Sequence, residues 1–222
     1  MNFAEALSFT FEDREWAKKL LIGGALNWVG MFLGLFFITG FFTLGYFLLV
    51  VSNVHKQQKP ELPDWKTLSP IFVDGLVGAI IMLLYIIIVA MVIVPIIIHF
   101  ATNDYISDLT KGFSIASVAI FGVLALAVLS NLGLIVWAIT KDFTKAMNPL
   151  TVIGLLRNKI GLLLGILIFT FILSAILFLG GLGIISPFFL FWGSVVQAHL
   201  FGQLARDSIM EESPTINPGP VQ

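Results

Sequence analysis

The chain has 222 residues, 58% of them hydrophobic and 11% charged, with a net charge of −1 and a mean hydropathy of +1.01. Soluble domains carry about 25% charged residues, so a soluble globular class is excluded. The balanced charge removes any global pull toward nucleic acid, and the absence of Cys removes disulfides, thiolate catalysis and cysteine metal sites.

Apolar stretches of membrane-spanning length recur, and the alternating segments of a β-barrel are absent. The class implied is an all-α membrane protein. Residues 1–19 read as an interfacial helix. Thr10 and Asp13 have capping-box spacing, Glu12, Asp13 and Glu15 precede Lys18 and Lys19, and Trp16 with the two lysines marks a membrane interface. The acids at 5, 12, 13 and 15 do not fit a cleavable signal.

Residues 20–54 contain no charge. As one helix they would be about 52 Å long, against a hydrocarbon core of about 30 Å. Glycines at 23, 24, 30, 34, 40 and 45 leave several places to break. A tight helical hairpin, a re-entrant loop and a long tilted helix remain open.

Pro60 and Pro63 then impose an extended path, and Trp65 suits the headgroup layer. Ser69-Pro70 predicts an N-cap and first helical position. Further apolar segments follow at about 71–100, 113–139, 160–182 and 184–205. Pro95 should kink or end the first of these, and Pro187 should start the last. The region 207–222 is rich in proline and polar residues, which predicts a disordered tail. Residues 20–206 form the transmembrane domain.

Basic residues alternate between connections. Placing the N-terminal arm, 55–70, 140–159 and the C-terminus in the cytoplasm puts every Lys and Arg there except Lys111. The expectation is therefore a plasma-membrane bundle of about six passes with both termini inside, the first pair being short. An offset of 79 also relates Lys66 to Gly75 with Lys145 to Gly154. That echo is read either as a duplicated loop-plus-hairpin unit or as two ordinary helix starts.

Four polar positions stand out. Asp74 is either a cation or proton site or a helix-start carboxylate favoured by the macrodipole. Asn131 lies inside a pass. His199 and Gln203 are one turn apart, and either line a polar cavity, touch a headgroup, or bond between helices. His99 beside Asp104 offers a weak metal or proton pair. Small residues predict close helix contact at Ser194, Ala198 and Gly202, and at Gly161 and Gly165. No nucleophile elbow or phosphate loop occurs. No catalytic, cofactor or metal residue is assigned.

Several motifs are similar to a known family. They are Phe11-Glu12-Asp13-Arg14-Glu15-Trp16 with Lys18 to Gly24, Gly45-Tyr46, Leu62 to Trp65, Phe72 to Leu76, and Ala198 to Leu204. The resemblance is to the bacterial and archaeal membrane proteins grouped as domain of unknown function 4013, and it spans roughly residues 9 to 206. Arg14 departs from the pattern, where Pro is expected, and the first apolar block is longer. The resemblance implies a polytopic plasma-membrane protein and supplies no activity.

Two roles follow from the residues. The first is a non-enzymatic accessory or scaffolding component, with membrane lipids and either a protein partner or further copies of itself as its contacts. The second is a carrier or binder of a small apolar or lipid-like substrate, with its cavity near Asn131, His199 and Gln203.

Overall fold

Gly34 divides the uncharged first block. Its φ of 69° is left-handed, a conformation that suits glycine and ends a helix. Before it lies α2 (Trp16–Leu33) and after it α3 (Phe36–His55). The block is therefore a hairpin. The two helices close on each other where Gly30 faces Thr39, and a Cβ on Gly30 would overlap the Thr39 hydroxyl.

The computed structural model describes residues 1–58, 62–154, 159–181 and 183–212, with side chains as far as Ser208. Among the described residues the chain is helical and has no strand. The arm contains α1 (Phe3–Ser8) and a 3₁₀ turn, Phe9–Glu12. After the hairpin come α4 (Leu68–Thr102), α5 (Asp108–Thr140), the short α6 (Phe143–Met147) and α7 (Pro149–Gly154), then α8 (Ile160–Gly180) and α9 (Ser186–Glu212). Among the described residues five helices are long and apolar enough to cross a membrane, namely α3, α4, α5, α8 and α9 through Ser208. The 18-residue α2 is not among them.

Several boundaries differ from the expectation. The helix after the first loop starts at Leu68, with Thr67 as an N-cap that makes no side-chain bond. Pro70 thus sits inside the first turn, where its missing N–H still costs nothing. Pro95 does not end α4, which runs on to Thr102. Thr10 does not cap a helix; its hydroxyl is buried without a partner, and α2 begins only at Trp16. Residues 207–212 continue α9, so any tail begins later. Lys59, Pro60, Glu61, Arg157, Leu182 and residues 213–222 lie outside the described residues. In the echo, Pro70 is the third residue of α4 and Pro149 the first of α7, whose described residues end at Gly154.

Packing follows the small residues. In a bilayer no water drives helices together, so close contact does. A Cβ on Gly45 would overlap the Ile71 carbonyl, and one on Gly75 the Phe41 carbonyl, so α3 and α4 meet backbone to backbone. The helices α4 and α5 run antiparallel. Gly122 faces Ile93, Gly133 faces Ile81 and Tyr85, and Lys141 pairs with Asp74 at 2.8 Å. Gly202 of α9 sits against Val51 and Val54 of α3. Gly161 and Gly165 are a correction, because a Cβ on either meets nothing within 4 Å. Their helix makes its internal contacts through Leu163, Ile166 and Thr170 instead.

The arm, the first loop, Lys159 and the α9 terminus share one end of the bundle. Lys19 bonds the Leu62 carbonyl and Lys159 bonds the Asp207 carbonyl, whereas the Ala146 carbonyl of α6 reaches in to the Tyr85 hydroxyl midway along α4. Asn2 and Gln203 bond each other at the shared end as well. The basic arm, first loop, Lys159 and α9 terminus are thus neighbours, as the alternating charge pattern requires.

Candidate functional site: a polar cavity between five helices

A cavity of about 330 Å³ opens between α2, α3, α4, α5 and α9. Each helix places at least one side chain on its wall, and five of these are uncharged and polar: Asn27, Thr43, Asn131, Ser194 and Gln197. Leu44, Phe47, Met82 and Leu134 complete the lining. Asn131 lies about 15 Å along α5 from Lys141, and Met82 about 12 Å along α4 from Asp74, at ~1.5 Å per residue.

The polar groups are partly committed. Asn131 Nδ2 donates to the Ala127 carbonyl at 2.7 Å and Asn27 Nδ2 to the Pro187 carbonyl at 3.4 Å. Thr43 and Ser194 hydroxyls donate to carbonyls of their own helices. These bonds use donors. The Asn27 and Asn131 carbonyl oxygens, and both ends of the Gln197 carboxamide, have no partner among the described residues. The wall therefore offers both carbonyl acceptors and carboxamide N–H donors to an uncharged guest.

The four polar positions picked from sequence fall in different places. Asn131 lines this cavity. His199 and Gln203 do not; they hold the N-terminal arm. The Asn2 N–H donates to Gln203 Oε1 at 2.8 Å, Gln203 Nε2 donates to the Asn2 carbonyl at 3.3 Å, and Gln203 Nε2 lies 3.1 Å from His199 Nδ1. The Phe9 ring stacks on His199 with centroids 4.1 Å apart. Both residues are fully buried. Asp74 is paired with Lys141, whose ammonium also lies 5.4 Å from the Trp137 ring. His99 packs its ring edgewise on Phe100.

Of the α9 small row, Ala198 is buried and Gly202 contacts α3, whereas Ser194 faces the cavity. Gln197 and Asn27 were visible in the sequence as polar residues inside passes. Nothing local showed that Gln197, and not His199 two positions on, faces the bundle centre. A face is fixed only by which neighbours cover it.

A second polar cluster lies at the loop end. Lys19 and Asp13 form a buried pair at 2.7 Å, and Lys19 also donates to Leu62 O at 2.9 Å. Trp65 Nε1 donates to the Lys19 carbonyl and its ring stacks on Tyr46, with centroids 4.5 Å apart. The adjoining Asp64 is exposed. Its hydrogen bond with Lys66, at 3.0 Å, holds the carboxyl below its usual value and raises that of Lys66. This cluster staples the first loop to α2 and α3.

Comparison with known proteins gives one match. Residues 29–186 match the family described as "Protein of unknown function (DUF4013)". The span runs from the last turn of α2 to the first residue of α9 and omits the motifs at 11–24 and 198–204. Neither a curated protein nor a solved structure matches.

Proposed function

The chain belongs to the DUF4013 family of proteins of unknown function, and since membership carries no activity, we propose from its own residues that it binds a small uncharged or amphipathic solute within the membrane. The observation that carries this is the convergence of Asn27, Thr43, Asn131, Ser194 and Gln197 on one cavity. A polar group inside a bilayer is costly unless satisfied. The Asn27, Asn131 and Gln197 carboxamide oxygens, without a partner among the described residues, are therefore best explained by a guest that satisfies them.

The protein acts without bond chemistry, as a carrier or binder in the plasma membrane, with its arm and α9 terminus in the cytoplasm. The cavity has no ionised group on its wall, which suits a neutral ligand with a hydroxyl or amide. This ranks the carrier role above the accessory role that the small-residue faces first suggested.

The test is a thermal-shift screen of the detergent-purified chain against neutral amides, polyols and amino alcohols. Stabilisation by a subset, lost in both Asn131→Leu and Gln197→Leu, supports the reading. No stabilisation by any of them, together with a protein partner at fixed stoichiometry in native mass spectrometry, returns the assignment to an accessory role.

A further inference from the structure

The helices around the polar cavity are not packed equally against one another. Among the described residues α3 packs against each of the other four, α2 packs against α9 and α4 against α5, whereas α5 and α9 touch only sparsely. The cavity therefore lies at a seam, with α3 as its back wall. Asn27, Ser194 and Gln197 come from the α2–α9 side, and Met82, Asn131 and Leu134 from the α4–α5 side.

The seam is shut on one side of the cavity and open on the other. Gly40, Leu44, Phe47 and Val51 share one face of α3. Val51 is fully buried, and Phe47 meets the buried Phe201 ring of α9 edge to face, with centroids 6.0 Å apart. Leu44, Leu48 and Leu134 converge on Gly78 of α4, where a Cβ would meet all three within 3.2 Å. At the opposite end of that face a Cβ on Gly40 would meet nothing within 4 Å. The two lips follow the same course. On α5, Leu134 and Ala138 are buried, Asn131 and Ala127 are partly exposed, and Leu124 is exposed. On α9, Phe201 and Ala205 are buried, while Gln197, Ser194 and Leu190 are partly exposed.

We propose that the guest enters the polar cavity through the α5–α9 seam, between Ala127 on one lip and Leu190 on the other. This rests on the binding reading above and adds the route to the same site. Both lips are uncharged and apolar, and the polar groups begin one turn further in, at Asn131 and Ser194. An ion would lose its water at the lips before meeting any partner. A neutral solute pays far less, so the entrance selects against charge before the carboxamides are reached.

The experiment follows Thr43→Cys, a thiol on the α3 back wall, in native membranes treated with the neutral reagent 2-hydroxyethyl methanethiosulfonate. Ala127→Trp narrows the seam and slows modification by about tenfold, the effect of a modest added barrier. Leu190→Ala widens the seam and speeds modification. Ala125→Trp places the same ring on the opposite side of α5, at an exposed position, and leaves the rate unchanged. Unchanged rates in both lip variants overturn the seam as the entrance and leave the binding cavity standing. Equal slowing by Ala125→Trp and Ala127→Trp assigns the effect to a disturbed fold and also overturns it. A Thr43→Cys thiol that is inert with native lips removes the binding reading, and the entrance with it.

Discussion

Gly45→Ala perturbs the closest contact in the bundle. A methyl group there overlaps the Ile71 carbonyl oxygen and lies 3.0 Å from the Gly75 nitrogen. These are backbone atoms, so no side chain can turn away. Restoring an ordinary separation of ~3.5 Å requires α3 and α4 to part by more than about 1 Å, opening the contacts of Phe72 with Phe41 and Phe42. Overpacking of this kind costs about 1–3 kcal/mol. Alanine's better helix propensity returns up to about 1 kcal/mol, so a net loss remains. Gly165→Ala is the internal control, because a methyl there meets nothing within 4 Å and keeps the propensity gain. The assay is unfolding by sodium dodecyl sulfate in dodecyl maltoside micelles, followed by circular dichroism. Gly45→Ala should unfold at clearly lower denaturant than the native chain, and Gly165→Ala at the same or higher. Equal midpoints for the two variants would refute the backbone contact.

Lys19→Met leaves Asp13 buried and uncompensated, and should cost about 3–5 kcal/mol in the same assay. Adding Asp13→Leu should recover much of that loss. Asp74→Asn removes a pair whose lysine is 41% exposed, so its cost should stay near 1 kcal/mol or below; a larger loss would show Asp74 to be buried against something more than Lys141.

The sequence carried the spans because hydropathy and length are local properties, and it carried the clustering of loops because charge alternation is summed along the chain. Gly34 was one of several glycines at which the block could break, and nothing local marked it as the one with the left-handed φ. Lys19 read as an interfacial cation. Its burial depends on Leu62 and Trp65, more than 40 residues away. His199 and Gln203 were conspicuous as polar residues sharing a face, yet the arm takes that face. Gln197, on another face of the same helix, reaches the cavity. Gly161 and Gly165 had the right spacing but face open space. Spacing identifies which residues share a side, and only tertiary contact determines what that side meets.

The central claim is that the polar cavity inside the bundle admits a small hydrophilic molecule. The absence of native Cys makes single-cysteine labelling clean. Thr43→Cys and Ser194→Cys place a thiol on the cavity wall, and Ile166→Cys places one at a position fully buried in the core. The measurement is the rate of modification, in native membranes, by a small hydrophilic methanethiosulfonate. The account predicts that the two cavity thiols react and the Ile166→Cys thiol does not. Cavity thiols as inert as the core thiol would contradict it.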